Sequence, residues 1–286
     1  MSRRLDIGIA SYGASAKLRR TLDSITANSV TDWRCFIIDN PGPDPATREV
    51  IAEYCLRDPR FVPVLLDENV GYAGAVVKLQ ELAETEYVAY CDNDILIQSP
   101  GWDETLCSYL DRFHEIGMIF PNGGAYAIQR TSYIEVMWGV GFCWVLSRLA
   151  MKDTGPFDTT LGHQEEADYS QRVRMAGYKC AAAPEVRVHH DATATSDPSS
   201  IERISRGVVR WVDKWNRYFN GKNFNYHSVN VTRFEDWPPN ALYLEEFWKI
   251  RLPDLNDAPQ VINVDGREYD LIRVPRFKDF YRGRTI

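Results

Sequence analysis

The chain has 286 residues, of which 44% are hydrophobic, 12% aromatic and 26% charged. A chain of this size buries roughly three-quarters of its unfolded surface, so it needs no disulfide or metal staple, and none of its apolar runs approaches the ~20 residues of a membrane span. The formal net charge of −7 is unevenly spread: residues 1–198 carry −10 and residues 199–286 carry +3, which argues against broad DNA affinity for the first part and suggests different partners for the two parts.

The first elements alternate. Leu5 to Ala10 reads as a short strand, and Lys17 to Ala27 as a helix, with Leu18, Leu22 and Ile25 spaced by four and three. Trp33 to Asp39 is a second strand, stopped by Asn40-Pro41-Gly42-Pro43. Thr47 to Leu56 is helical, Phe61 to Leu66 a third strand, Gly74 to Leu82 a helix and Tyr87 to Cys91 a fourth strand. This order predicts an α/β fold with a mostly parallel, Rossmann-like sheet flanked by helices. A helix over Trp102 to His114 and a strand over Gly117 to Phe120 follow. Beyond the apolar, Gly-punctuated run 138–146 come a helix over Glu165 to Ala176 and strand-like segments at Tyr178 to Ala183 and Val186 to His190.

The small, polar stretch Thr193 to Ser200 is the best linker, which divides the chain into residues 1–195 and a C-terminal extension over 196–286. The extension begins with an amphipathic helix, 201–219, with apolar Val208, Trp211, Val212, Trp215 and Phe219 on one stripe and Arg203, Arg206, Arg210, Lys214 and Arg217 on another. Tryptophans packed inward with the charges in water is one reading. A peripheral membrane or phosphate contact through the basic stripe is the other. Asp265-Gly266 marks a hairpin near 260–274. Six dispersed cysteines without a Cys-x-x-Cys pair, and a charged N-terminus without a long apolar core, lead to the expectation of a reducing, cytoplasmic setting.

Asp92-Asn93-Asp94 is the most informative motif. It stands where a strand runs out into a loop, the end at which open α/β sheets bind ligands. Two close carboxylates repel unless a cation lies between them, and oxygen ligands suit a hard divalent ion that also holds phosphates. A solvated turn with two acids explains the same letters.

The motif does not stand alone. Ile37-Ile38-Asp39-Asn40, Asn69-Val70-Gly71-Tyr72-Ala73-Gly74, Asp92-Asn93-Asp94 and Gly155-Pro156-Phe157-Asp158, with Glu165-Glu166-Ala167-Asp168 behind it, follow one another in an order that resembles glycosyltransferase family 2. These are inverting, nucleotide-sugar-dependent transferases of GT-A fold, and the resemblance covers roughly residues 5–195. It implies a metal-dependent transfer of sugar from a nucleotide-diphosphate donor, UDP- or dTDP-sugar by preference, to an acceptor hydroxyl. Asp39 would meet the base, with Ala10, Ser11 and Tyr12 beside it. Asn69, Gly71 and Gly74 would approach the ribose or diphosphate. Asp94 would ligate the metal, while Asp92 would contact ribose or a metal-bound water and Asn93, with Asp92, would belong to the donor-nucleotide contacts. A histidine after the strand Val186 to Val188 would complete the metal shell, with His189 favoured over His190. The nitrogen ligand tilts the ion from Mg2+ toward Mn2+.

The resemblance also implies a carboxylate base. Where the family carries Glu-Asp, this chain has Glu165-Glu166, so Glu166 is the first choice and Glu165 the second, although acids in a first helical turn also serve the helix dipole. Asp168 is the third choice, and it reads better as a surface pair with Arg172. Trp144 is either a sugar platform or a buried strand residue, and His163 and Gln164 are either acceptor or donor-sugar contacts or exposed loop. The acceptor is open: glycan, glycolipid, protein or modified nucleic acid. Two other functions fit the same letters, a sugar-phosphate nucleotidyltransferase and a catalytically silent nucleotide-sugar-binding module.

Overall fold

The computed structural model describes residues 3–125, 127–191, 206–207, 209–211 and 213–215, and the backbone of 261–264 and 267–270. Strands β1 (Leu5–Ser11), β2 (Trp33–Asp39), β3 (Phe61–Leu65) and β4 (Tyr87–Asp92) alternate with helices α1 (Ser15–Asn28), α2 (Ala46–Arg57) and α3 (Gly71–Leu82). Then come β5 (Ile95–Ile97), α4 (Trp102–Arg112), β6 (Ile116–Pro121), and the short strands β7 (Gly124–Ala125), β8 (Ile128–Gln129), β9 (Ile134–Val136) and β10 (Trp138–Gly139). The last part of the sheet domain is β11 (Cys143–Ser147), α5 (Arg148–Thr154), α6 (Glu165–Met175), β12 (Lys179–Ala183) and β13 (Val188–His190).

Among the described residues, nine strands form one sheet in the order β3-β2-β1-β4-β11-β6-β12-β9-β8. It is mixed rather than mostly parallel. β1, β2, β3 and β4 pair in parallel, as do β6 and β12, but β11 runs antiparallel between β4 and β6, and β9 and β8 are antiparallel at the far edge. All of strand β11 but Ser147 lies in the run 138–146, whose near-continuous apolar letters carry no signal of strand direction.

Helices cover both faces. Leu18, Leu22 and Ile25 of α1, Val50, Ile51 and Tyr54 of α2, and Trp102, Leu106 and Leu110 of α4 pack on one side. Val76 and Leu79 of α3, Met151 of α5, and Tyr169 and Val173 of α6 pack on the other. Central strands buried on both faces explain the continuous apolar runs of β1 and β2. The exception, Asp6, is fully buried and held by Arg34 (Nε to Oδ1, 2.9 Å) and by the amide of Glu84 (2.8 Å), so its charge is paired rather than stranded.

The register sets the ligand-binding edge. Ser11 is level with Asp39 and Ala10 with Asp92, so the two acids flank the carboxyl end of β1, about 10 Å apart for strands spaced ~4.8 Å. The amide of Asp92 donates to the carbonyl of Phe142 (2.8 Å), which brings the start of antiparallel β11 to the same edge. Outside the sheet, β13 pairs antiparallel with β5. Strands β14 (Val261–Val264) and β15 (Arg267–Asp270) form the expected antiparallel pair. The expected linker 193–200 lies outside the described residues.

Candidate active site

Three ligand groups converge at the end of β4: one atom each of Asp92, Asp94 and His190, all within 4.8 Å of one another. His190 Nε2 lies 3.1 Å from Asp94 Oδ1 and 3.6 Å from Asp92 Oδ2. The β5–β13 ribbon builds this contact, because His190 pairs with Ile95, one residue past Asp94, and the Asp191 amide donates to the Asp94 carbonyl (3.0 Å). His190 thus takes the place expected for His189. Side chains alternate along a strand, and with Val186 and Val188 buried, 190 shares their inward parity while His189 is exposed. The ring of His190 rests 4.7 Å from that of Phe142.

The electrostatics suit a cation. Burial raises the Asp92 carboxyl to about 6 against the opposing effects of His190 and the Tyr90 hydroxyl, with Asp94 adding to the rise. Tyr90 Oη donates to Asp92 Oδ1 at 2.7 Å. Burial pulls the His190 imidazole down, but its hydrogen bond to Asp94 and the fields of both carboxylates outweigh this and leave it raised. Lys17 of α1 stands 3.6 Å from Asp94 and also 3.6 Å from Asp191, whose carboxylate takes Arg20 at 2.9 Å. Asn93 points away, its Nδ2 donating to the Gly13 carbonyl (2.9 Å), and so ties the motif to the turn after β1.

Across the edge, Asp39 is buried and accepts from Arg48 Nε at 2.6 Å. Ser11 is buried, whereas Tyr12 is exposed beside it. The Asn69–Gly74 segment is clamped by Asn40, whose Oδ1 accepts from the Val70 amide (2.8 Å) and whose Nδ2 donates to the Gly71 carbonyl (3.3 Å). Asn69 Oδ1 accepts from the amide of Gly71 at 2.8 Å, and Gly71 itself has a φ of 72° that favours glycine. Gly74 is required by packing: a Cβ there would stand 2.7 Å from that of Val70.

Glu165 and Glu166 open α6 after Gln164, which has φ of 67°. The Glu166 carboxyl group faces the Gly141 backbone, where a Cβ would stand 3.3 Å from Oε2. Burial raises it to about 7, its own backbone amide opposing and Asp92 adding to the rise. Glu165 is more deeply buried. Asp168 pairs with Arg172 as expected, but in the interior rather than on the surface: fully buried, it accepts from Arg172 Nε at 2.9 Å and pairs with Lys214 at 2.7 Å.

The remaining candidates divide. Trp144 is 0% exposed. It stacks between Tyr90 (5.4 Å) and Phe157 (5.7 Å), and Phe157 stacks in turn on Tyr169 (4.0 Å). This is a core position and not a platform on which a sugar could lie. Its Nε1 donates to Tyr72 Oη at 3.3 Å. Gln164 is buried rather than exposed loop, with Nε2 3.0 Å from His163 Nδ1. In the basic stripe, Lys214 and Arg210 turn toward the sheet domain (to Asp158 and Asp168, and to the Thr160 carbonyl), which removes them from an outward membrane or phosphate face. Trp211 and Trp215 are buried and Arg206 is exposed, while Arg203 and Arg217 lie outside the described residues.

The profile of the family described as "Glycosyl transferase family 2" matches residues 6–153, just over half of the chain. The chain belongs to glycosyl transferase family 2. Among proteins, it is 36% identical over 84 residues (29% of this chain, 33% of the relative) to the "Putative teichuronic acid biosynthesis glycosyltransferase TuaG" of Bacillus subtilis. It is 29% identical over 121 residues (40% and 35%) to the "Uncharacterized protein Rv1520" of Mycobacterium tuberculosis. These matches span about a third of each relative's length. Among solved structures it resembles the "Mannosyltransferase PcManGT from Pyrobaculum calidifontis in complex with GDP-Man and Mn2+", with a TM-score of 0.63, 16% identity, and coverage of 76% of this chain and 65% of that one. It also resembles "S. aureus TarS 1-349 in complex with UDP-GlcNAc", with a TM-score of 0.55, 14% identity, and coverage of 81% and 77%. At such identities the likeness is one of fold, and the fold is the GT-A architecture. Among the described residues of this family 2 chain, no helix is long and apolar enough to cross a membrane.

From sequence, Lys17, Asn40, Arg48, Gly141 and Lys214 had no role at the family 2 site. Lys17 and Asn40, near the ends of the first two strands, had a local signal; Arg48, Gly141 and Lys214 meet their partners only through packing.

Proposed function

We propose that the chain is a metal-dependent inverting glycosyltransferase that moves a sugar from a nucleotide-diphosphate donor to an acceptor hydroxyl. The observation that carries this reading is the convergence of Asp92, Asp94 and His190 on one side of the sheet edge, with the Glu166 carboxyl group close enough to feel Asp92.

Asp92, Asp94 and His190 would hold the divalent ion. Two hard oxygens and one imidazole nitrogen suit Mn2+ or Mg2+, with the nitrogen favouring Mn2+. When bound, the ion supplies positive charge to the diphosphate leaving group. Asp39 would receive the base with the oxygen that Arg48 leaves available, and UDP- or dTDP-sugars are the preferred donors. The segment from Asn69 to Gly74, held by Asn40, would bring backbone close to the ribose or diphosphate.

Glu166 is the base. A carboxyl group raised to about 7 takes a proton more readily than an ordinary glutamate and still ionises near neutral pH. The acceptor O–H bond breaks with its proton passing to Glu166. The acceptor oxygen bonds to the anomeric carbon from the face opposite the leaving group. The anomeric carbon–oxygen bond breaks with its electron pair leaving on the diphosphate, so configuration inverts. Glu165 is less suited, being the more deeply buried of the two.

In this reading residues 1–195 are the catalytic unit and 196–286 an extension. A reducing, cytoplasmic setting is part of this reading, and the Cys91 and Cys143 sulfurs sit 3.8 Å apart in hydrogen-bond contact.

The test is a panel of UDP-, dTDP- and GDP-sugars with Mn2+, read as nucleoside-diphosphate release and as the anomeric configuration of the product. Turnover that inverts, and is lost in Asp94→Ala and Glu166→Gln, is expected. Unchanged turnover in either variant refutes the site. Release of pyrophosphate from a nucleoside triphosphate and a sugar phosphate would favour a nucleotidyltransferase instead.

A further inference from the structure

The loop between α5 and α6 leads into the proposed base, and one ammonium group joins Asp158 within the loop to Asp168 in the first turn of α6. Lys214 Nζ lies 2.7 Å from Asp158 Oδ2 and 2.7 Å from Asp168 Oδ1. The second oxygen of Asp158 accepts from the Thr160 amide (3.0 Å) and hydroxyl (2.6 Å), which shapes the start of the loop. The second oxygen of Asp168 accepts from Arg172, whose Nη1 donates back to the Pro156 carbonyl (2.8 Å). Without Lys214, two carboxylates, one of them fully buried, would face each other across the loop, and like charges at such range repel.

Two further contacts join the same pieces. Gly207 presses on the loop so closely that a Cβ would stand 2.3 Å from His163 Cβ and 2.7 Å from its amide nitrogen, an approach that only glycine permits. Arg210 Nη1 donates to the Thr160 carbonyl at 3.3 Å. Trp211 and Trp215 are buried, and the Lys214 ammonium lies 5.7 Å from the centre of the Trp215 ring. The loop these contacts hold leads into Gln164, whose left-handed φ of 67° must be imposed by its surroundings. Glu165 and Glu166 follow directly.

We propose that Lys214 is a positioning residue: by bridging Asp158 and Asp168 it fixes the 158–168 loop, and with it Glu166, so the helical residues around it complete the active site from outside the segment that matches the family. This rests on the reading of Glu166 as the base. Lys214 touches no reacting atom in this scheme. It sets the angle at which α6 presents its first turn, and displacements near 1 Å in such a group cost about 100-fold in rate.

The test compares the full-length chain with Lys214→Met, Lys214→Arg and Asp158→Asn. It reads UDP release from UDP-glucose and UDP-GlcNAc with Mn2+, Mn2+ affinity, and amide hydrogen exchange over residues 158–170. In Lys214→Met, kcat should fall about 10- to 100-fold, with donor KM and Mn2+ affinity unchanged and faster exchange in the loop. Lys214→Arg, which keeps a cation for both carboxylates, should restore most of the rate. A Lys214→Met variant with wild-type kcat and wild-type loop protection overturns the proposal, even if it melts earlier. If Lys214→Met does not fold, Asp158→Asn, which leaves Lys214 on Asp168, carries the same comparison. If the wild-type chain releases no UDP, the transferase reading fails at that point, and the exchange data decide alone: unchanged protection at 158–168 overturns the positioning role and faster exchange supports it.

Discussion

The Glu166 carboxyl group lies against the Gly141 backbone, 3.3 Å from where a Cβ would stand. Gly141 precedes β11, whereas Glu166 opens α6, so the contact joins a strand entry to a helix start. Gly141→Ala would push the carboxyl group by a few tenths of an ångström. The expected result is a fall in kcat of about tenfold, within the range that small misplacements produce, with Mn2+ affinity unchanged. Steady-state kinetics and manganese titration of the purified variant check it.

Glu166 also links catalysis to pH. Burial raises its carboxyl group from an ordinary value of 4.5 to about 7. In the proposed transfer Glu166 acts in its ionised form, so the rate should rise with pH and level off above about 7. Stability runs the other way. The folded state holds the proton more tightly than the unfolded one, so this group's contribution is fully present below about 4.5 and lost as pH rises through about 7. Glu166→Gln, measured without metal, should therefore match the wild type near pH 4.5 and be more stable by about 1–3 kcal/mol at pH 8. Melting curves at the two pH values test this, and equal stability at pH 8 would contradict the buried-carboxyl account.

His190 and His189 should separate cleanly. His190→Ala removes the imidazole 3.1 Å from Asp94 and should weaken Mn2+ binding by at least about tenfold, since even outer-sphere partners of a metal site contribute 10- to 100-fold. His189→Ala, at an exposed position on the other face of β13, should leave it unchanged. Calorimetry on both variants reads the difference.

Trp144 should report on the core. Its ring is fully buried in a stack with Tyr90 and Phe157, so Trp144→Ala should destabilise the chain by about 3–5 kcal/mol. Trp144→Phe should cost less, losing mainly the Nε1 donor to Tyr72. Urea melts check both, and a Trp144→Ala protein of wild-type stability with weakened donor binding would restore the platform reading.

Much of the sheet domain was legible in the sequence, because burial there follows local periodicity. Leu18, Leu22 and Ile25 repeat at helical spacing, and β2 was bounded correctly at Trp33 and Asp39. The direction of β11 was not legible. Strand polarity depends on which neighbour it joins, and the letters Cys143 to Ser147 are equally apolar for either.

The sequence by itself determined the family, the alternating architecture and the pair Asp92 and Asp94, because these rest on short motifs and on repeats of two or 3.6 residues. It even held the parity that selects His190, in the apolar letters at Val186 and Val188. Tertiary structure alone decided what those residues meet. The β5–β13 pairing brings His190 to Asp94, Asn40 reaches the loop at Val70, Gly141 admits the Glu166 carboxyl group, and Lys214 closes on Asp158 and Asp168. Each is a contact across 25 to 96 residues of chain, set by strand pairing and side-chain packing, and no local periodicity encodes a contact of that range.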